Sequence, residues 1–210
     1  MSNIDFGKDD HTTVVGRTRS GKTTGVLYSL QRQPRGVLFF NTQQIKFPAG
    51  WTRASLKSDF EAMIDGLIGG EKIVYIPSRE YRQQELKILV GLLYKAAQRY
   101  DGDLDIYLVV DEVHLFAKAA LRACVEVATT GIRWGLKAIW ISQRPAKIDN
   151  TLMTQSTRFV IYGLSHMEGN YLKNYQMPSE TIFEALRTGG QYAYVVYDGY
   201  DLSKPQKVAM

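Results

Sequence analysis

The chain has 210 residues, of which 45% are hydrophobic and 22% are charged, a composition typical of one globular domain with its own core. No apolar run approaches the roughly 20 residues that a membrane-spanning helix needs, and residues 1–6 lack the basic and apolar regions of a secretory signal. The single cysteine, Cys124, excludes an internal disulfide, so we expect an intracellular protein. A formal net charge of +5 permits a polyanionic partner without indicating one, because the basic residues are spread along the chain.

Apolar runs alternate with amphipathic stretches along nearly the whole chain. The runs predict strands at 12–15, 36–41, 72–76, 105–110, 136–142, 158–162 and 191–197. The other stretches predict helices at 22–30, 59–68, 80–99, 117–130 and 150–156, and two short helices at 167–175 and 179–187. This alternation predicts an α/β fold with a mostly parallel, doubly wound sheet and helices on both faces. Ligands of such sheets bind at the carboxyl ends of the strands.

The residues after the first predicted strand fit the phosphate-loop pattern of a glycine, four free positions and Gly-Lys-Ser/Thr. They are Gly16, Arg17, Thr18, Arg19, Ser20, Gly21, Lys22, Thr23 and Thr24. The glycines let the backbone turn tightly and direct N–H groups at an anion, and the following helix adds its positive end. In this pattern Lys22 reaches the β- and γ-phosphates of ATP, and the Thr23 hydroxyl holds Mg²⁺. We expect Arg17 and Arg19 to point outward, or to contact the base or a neighbouring subunit.

Two adjacent acids, Asp111 and Glu112, end the apolar strand predicted at 105–110. Asp111 suits binding of Mg²⁺ through water, and Glu112 suits a general base that polarises the attacking water. The pair favours hydrolysis over group transfer, whereas surface acids at a strand end are the alternative. His114 is interpreted as a residue of a helix start or loop.

Gln143 ends the strand predicted at 136–142, where its amide can contact the γ-phosphate or the attacking water; a plain polar strand end is the alternative. Hydrolysis also needs positive charge in the transition state, which an arginine finger provides. Arg133 is expected at the rim of the sheet, from which it would reach a neighbouring subunit's site, and Arg158 is the second candidate. A surface arginine packed on Trp134 is the alternative for Arg133.

Four segments, taken in order, resemble the FtsK/HerA branch of P-loop motors: 16–23, 109–114, 130–136 and 140–145, the last reading Trp-Ile-Ser-Gln-Arg-Pro. Segment 155–161 is similar to the next strand of that family, so the resemblance covers roughly residues 11–165. It implies a RecA-like P-loop NTPase fold. We expect a single ATPase domain over 1–210, with a core at about 11–165, further helices and a last strand at 166–200, and a tail at 201–210.

A bare core of this size is similar to the small genome-packaging ATPases of icosahedral viruses with an internal membrane, including archaeal ones. That similarity implies a homo-oligomeric ring, a pentamer or hexamer, that uses ATP and Mg²⁺ to thread double-stranded DNA into a preformed capsid. The implied roles are Lys22 and Thr23 for ATP and Mg²⁺, Asp111 and Glu112 for metal and water, Gln143 as sensor and Arg133 as trans finger. Capsid vertex proteins or the internal membrane of a virion are the further partners it suggests, in the host cytoplasm or on the assembling virion.

Three other readings stay open. A DNA-pumping ATPase for conjugation or for chromosome or plasmid processing would carry the same motifs. A small nucleotide kinase would need an acceptor pocket and an arginine-rich lid, and a nucleotide switch or scaffold would bind ATP without turnover. For a motor, candidate contacts to DNA phosphates are Lys46, Arg53, Lys57, Lys118 and Arg122.

Overall fold

The computed structural model describes residues 3–7, 10–43, 45–102 and 104–207; residues 208–210 of the expected tail lie outside this part of the chain. The strands are β1 (Thr12–Val15), β2 (Gly36–Phe40), β3 (Thr52–Ala54), β4 (Lys72–Tyr75), β5 (Ile106–Val110), β6 (Leu136–Ser142), β7 (Arg158–Tyr162) and β8 (Tyr194–Tyr197). The α-helices are α1 (Lys22–Leu30), α2 (Phe60–Ile68), α3 (Arg82–Arg99), α4 (Lys118–Thr130), α5 (Asn150–Thr154), α6 (His166–Leu172) and α7 (Ser179–Gly189). Within these residues, no helix combines the length and apolar character that crossing a bilayer requires.

One sheet contains all eight of these strands, in the order β3-β4-β2-β5-β6-β1-β7-β8. Every neighbouring pair is parallel except β7 with β8, which is antiparallel. The predicted mostly parallel α/β fold is therefore confirmed. Strand β6 lies between β5 and β1, so the residues after all three strands emerge side by side at the carboxyl edge of the sheet.

Both faces of the sheet are covered, because alternate residues of each central strand enter different cores. On one face, Leu38, Leu108 and Trp140 pack with apolar residues of α2, α3, α4 and α5. On the other face, Phe39 and Val109 pack with α1, with the N-terminal segment and with the loop that follows β2. This double burial explains why the central strands are continuous apolar runs rather than alternating ones.

The element boundaries follow the sequence signals closely, and one strand was missed. β1, β6 and β7 begin and end at the predicted residues, whereas residues 52–54, left inside a polar connection, form the edge strand β3. Thr52 and Arg53 are exposed there, so the strand lacks an apolar run. The helix predicted at 167–175 ends at Leu172 and continues as a 3₁₀ turn, Lys173–Tyr175.

Candidate active site

The phosphate loop leaves β1 at the carboxyl edge and enters α1 without a side-chain cap. Its first glycine is required by close packing: a Cβ on Gly16 would lie 2.6 Å from Tyr162 Cβ and 2.8 Å from Ser20 Oγ. Its second glycine, Gly21, has φ 91° and precedes a helix whose first turn contains no acid. The first N–H groups of α1 have no intrahelical acceptor, so they and the positive helix end form a site for an anion.

Lys22 is a buried cation at this helix start. Its side chain is 5% exposed, and Nζ lies 3.5 Å from the Arg17 carbonyl oxygen, a long contact. Burial lowers the pKa of Lys22, and the nearby charges of Glu112 and Asp111 oppose that decrease. The phosphate loop and the paired acids therefore share one electrostatic environment, as a site that joins phosphates to a hydrolytic centre requires.

Asp111 is a buried carboxylate that lacks partners. It is 1% exposed, and among the described residues neither of its side-chain oxygens has a hydrogen-bond partner. Burial, followed by the charge of Glu112, raises the pKa of Asp111 to about 7, although Lys22 opposes this. Carboxylate oxygens are ligands that Mg²⁺ prefers, and an orphaned buried pair of them fits a bound cation.

Glu112 is held by several contacts in a strained backbone conformation. Its φ and ψ of 51° and 48° lie in the left-handed region, which costs a residue other than glycine about 1–3 kcal/mol. Its Oε1 accepts from Gln43 Nε2 at 2.7 Å, and its Oε2 accepts from the Gln143 backbone N–H at 3.3 Å. His114 Nδ1 also lies 3.1 Å from Oε2. Strained residues held by surrounding structure are concentrated at functional sites.

Gln143 connects the phosphate loop to the acids. Its side-chain oxygen accepts a hydrogen bond from the Thr18 hydroxyl of the loop, while its backbone N–H donates to Glu112. The loop is also fixed to this strand through Gly16, whose N–H donates to the Ser142 carbonyl at 3.3 Å. A displacement of Thr18 by a phosphate would therefore reach Gln143 directly.

A cavity of about 500 Å³ opens beside the phosphate loop. Arg17 and Arg19 line it on the loop side, and Phe183, Arg187 and Tyr192 line it on the side of α7 and the segment before β8. Its volume falls in the range of small-molecule sites, about 300–1,000 Å³. Three arginines and two aromatic rings suit the charged and flat parts of a nucleotide.

Both finger candidates lie at the amino edge of the sheet, opposite the edge that carries the phosphate loop. Helix α4 runs back across the sheet, and Arg133 therefore lies just before the amino end of β6, exposed, with its carbonyl near Gly102. Arg158 begins β7 at the same edge, 3.1 Å from Asp5 and 3.8 Å from Asp10. Neither reaches the site of its own chain, so a catalytic role for either requires a second subunit.

Two residues that contact Glu112 were missed by reasoning from sequence. Gln43 is 69 positions away, and no local pattern brings it to the acids. His114 was interpreted as a residue of a helix start or loop; it lies in the 3₁₀ turn Val113–Leu115, where its Nδ1 lies 2.9 Å from the Ser142 hydroxyl and 3.1 Å from Glu112 Oε2. Burial lowers the pKa of His114, although Glu112 opposes this. Its place two residues after an acid pair was the signal available.

The fold is that of a RecA-like P-loop NTPase. The chain aligns over 97% of its length with 100% of the genome-packaging NTPase B204 from Sulfolobus turreted icosahedral virus 2, in complex with AMPPCP, at 16% identity and a TM-score of 0.74. It covers 62% of the pCW3 conjugation coupling protein TcpA, with 98% of this chain aligned at 15% identity and a TM-score of 0.59. It covers 40% of an EssC chain from Geobacillus thermodenitrificans, with 97% of this chain aligned at 12% identity and a TM-score of 0.53.

The expected likeness to packaging ATPases and FtsK/HerA-type proteins is thus confirmed at the level of the fold. No protein-family model matches the chain, and no curated protein matches it.

Proposed function

We propose that this protein hydrolyses ATP with Mg²⁺ and uses that hydrolysis to move double-stranded DNA, as the motor that packages a viral genome into a preformed capsid. The observation that carries the proposal is the continuous contact from Thr18 through Gln143 to Glu112. It joins a phosphate loop to a general-base candidate through a group that can respond to the γ-phosphate. A nucleotide-binding scaffold without turnover would not need the strained, fully held Glu112.

ATP would bind with its phosphates on the N–H groups at the start of α1 and its nucleoside in the 500 Å³ cavity. Lys22 would contact the β- and γ-phosphates, where its positive charge would stabilise the negative charge that develops in the transition state. Arg17, Arg19 and Arg187 at the cavity wall would contact the nucleotide from the solvent side. B204, whose fold is similar, was solved with AMPPCP and with ATP-gammaS.

Mg²⁺ would be held by Thr23 and Asp111. Bound there, it would neutralise charge that develops on the phosphate oxygens. Glu112 would orient a water and accept its proton. Gln143 would pass the presence or absence of the γ-phosphate to the loop that begins at Arg144.

The arginine finger would come from a neighbouring subunit of a homo-oligomeric ring. Arg133 is exposed at the amino edge, so it is available to another chain, whereas Arg158 is held by Asp5 and Asp10. Candidate contacts with DNA phosphates are exposed side chains: Lys46, Arg53, Lys57, Lys118 and Arg122.

Packaging is placed before conjugative transfer because the likeness of fold to B204, at a TM-score of 0.74, is greater than that to TcpA, at 0.59. A capsid vertex or an internal membrane of the virion would be the place where the ring assembles.

The test is the rate of phosphate release with and without duplex DNA, with oligomer size measured by light scattering in the same sample. We expect hydrolysis that DNA stimulates, in the wild type and in Glu61→Gln, an exposed control on α2. Glu112→Gln should retain ATP binding and lose hydrolysis. Phosphorylation of a small acceptor in place of phosphate release would identify a kinase instead.

A further inference from the structure

Two exposed apolar features lie at opposite ends of the sheet, away from the candidate active site. One is the ring of Tyr200, which is 95% exposed. The other is a cleft beside Leu56, which is 51% exposed. Packing within the chain covers neither of them, so a partner that covers them would bind at an end of the sheet.

Tyr200 is presented by a turn that hydrogen bonds hold in place. The turn follows β8 and is closed by backbone pairing of Tyr197 with Leu202. The carboxylate of Asp198 accepts from the Tyr200 N–H at 3.2 Å and from the Asp201 N–H at 2.9 Å. Because the backbone of the turn is already fixed, burying the ring against a partner would require little further ordering.

The cleft lies where β3 and β4 end, between the residues that follow these two strands and the start of α3. Its volume is about 310 Å³, and its apolar wall consists of Leu56, Ile76, Pro77 and Tyr81. Glu85 also lines the cleft, but both of its carboxylate oxygens accept hydrogen bonds from within the chain. An apolar cleft of this kind suits the aromatic anchor of a protein–protein contact.

The charges beside the ring and in the cleft are complementary. Asp198 and Asp201 flank Tyr200, and both are exposed. Lys57 lines the cleft and is exposed as well. Among the described residues, none of these three charged side chains forms an ion pair. The carboxylates and the ammonium group would therefore attract each other if the ring entered the cleft of another copy.

The two features also lie on the edges of the sheet that must meet in the proposed ring. Tyr197 pairs with Phe159 of β7, so the turn of Tyr200 lies at the amino edge, whereas the cleft lies at the carboxyl edge. Arg133 reaches another chain's site only if the amino edge of one chain faces the carboxyl edge of the next. β3 and β8 end the sheet, roughly 30 Å apart at about 4.8 Å between neighbouring strands, so the ring cannot fill the cleft of its own chain.

We propose that Tyr200 of one copy inserts into the cleft beside Leu56 of the next copy, and that Asp201 pairs there with Lys57. The contact rests on the homo-oligomeric ring of the proposed function and names the surfaces that join its subunits. It is heterologous, because the two surfaces differ and each copy uses one of them for each neighbour. Repetition of such a contact gives a closed ring or a helical filament, whereas a two-fold contact ends at a dimer.

Disulfide cross-linking tests the contact directly. The variant that carries both Tyr200→Cys and Leu56→Cys is oxidised mildly in the presence of Mg²⁺ and a non-hydrolysable ATP analogue. It should form a ladder of covalent dimers, trimers and larger species, whereas a mixture of the two single variants should stop at dimers. Each single variant alone should stay monomeric, because Cys124 is buried and does not react.

Sedimentation velocity with the same additions measures the strength of assembly. Tyr200→Ala should weaken association about thirtyfold, the factor that corresponds to truncation of an aromatic anchor, and Tyr200→Phe should retain most of it. Ile88→Ala, 45% exposed in the middle of α3, is the matched control and should assemble like the wild type. Equal urea midpoints of these variants would show that a loss of assembly does not come from unfolding.

Charge reversal tests the predicted ion pair. Lys57→Glu and Asp201→Lys should each weaken association. The two changes together in one chain should restore part of it, because every contact then again joins opposite charges. Two residues that do not meet would show additive losses in place of this recovery.

Three outcomes would overturn the proposed contact: a double cysteine variant that gives no ladder or stops at dimers, wild-type association in Tyr200→Ala, or additive losses in the two charge variants. Failure of the contact differs from failure of the proposed function. If the wild type stays monomeric with nucleotide, the ring itself is wrong and the contact falls with it. If the wild type assembles and the variants assemble equally, only the contact is wrong.

Discussion

Replacing Asp111 by Asn should make the ligand-free protein more stable at pH 8 while removing Mg²⁺-dependent hydrolysis. Burial, with a further contribution from Glu112, raises the pKa of Asp111 from 3.8 to about 7. The folded state therefore binds this proton more tightly than the unfolded state does. By linkage, the free energy of unfolding falls as pH rises from about 4 to about 7, and it stays reduced above pH 7.

The size of the effect follows from that pKa difference. From 3.8 to about 7, at 1.36 kcal/mol for each pKa unit, the ionised Asp111 lowers stability by about 4 kcal/mol at pH 8. Asn removes the charge but leaves a buried amide without partners, which costs about 1–3 kcal/mol. The variant should thus be about 1–3 kcal/mol more stable than wild type at pH 8, and no more stable at pH 4.

Urea unfolding at pH 4, 6 and 8 without nucleotide measures this difference, with Asp65→Asn, an exposed residue of α2, as the control. Adding Mg²⁺ with a non-hydrolysable ATP analogue should make the wild type the more stable of the two at pH 8, because the wild type supplies a carboxylate to the cation and the Asn variant does not. If the stability gap between variant and wild type does not widen with pH, the carboxylate is not held in an unfavourable charged state and the reasoning fails.

Three further variants probe other parts of the molecule. Glu112→Gln should lower kcat by about 10²–10⁴-fold and leave ATP binding intact, measured by nucleotide titration beside single-turnover hydrolysis. Gly16→Ala should weaken nucleotide binding, because its Cβ would lie 2.6 Å from Tyr162 Cβ. Gly91→Ala, with no atom within 4 Å of the new Cβ, should leave nucleotide binding unchanged and stabilise α3 by up to about 1 kcal/mol in urea unfolding. Burial lowers the pKa of His11 to about 4, so acidification from pH 6.5 to pH 4 should cost about 3 kcal/mol of unfolding free energy, a loss that His11→Asn removes.

Each of these expectations can fail in a distinct way. Near-normal turnover in Glu112→Gln would assign the base to another group. Unchanged nucleotide binding in Gly16→Ala, as in the Gly91→Ala control, would mean that the phosphate loop tolerates a side chain. An unchanged pH slope in His11→Asn, with His166→Asn as the exposed control, would locate the acid sensitivity elsewhere.

The parts of the fold that could be predicted are those in which local sequence and burial agree. β6 reads as an apolar run because all seven of its residues are buried, and α2 begins after Asp59, whose carboxylate accepts from two backbone N–H groups of the first turn. β3 could not be predicted, because an edge strand of three residues with two exposed side chains has neither an apolar run nor a clear alternation. The antiparallel direction of β8 likewise depends on its pairing with β7, which no local pattern records.

The candidate active site likewise has residues that local sequence predicts and residues that it does not. The phosphate loop, Asp111, Glu112 and Gln143 each follow a predicted strand, so a parallel sheet places them at one edge once the alternation is recognised. Gln43 could not be found, since its contact with Glu112 joins residues 69 positions apart. Arg133 was expected at the rim before β6, but the sequence does not say which edge of the sheet that is, because the direction of α4 decides it.

The contacts of the Glu112 carboxylate show which of them a ligand can release without disturbing the sheet. On one side it is held by the backbone of Gln143, which directly follows β6, a strand hydrogen-bonded on both sides within the sheet. Moving the Gln143 backbone would disturb the hydrogen bonds that pair β6 with β1 and with β5. On the other side it is held by the side chain of Gln43, on a loop that is not part of a strand. Because a side-chain amide can change partner without disturbing the sheet, control of Glu112 by a ligand is expected from the loop after β2, whereas the strand side fixes its position relative to the phosphate loop.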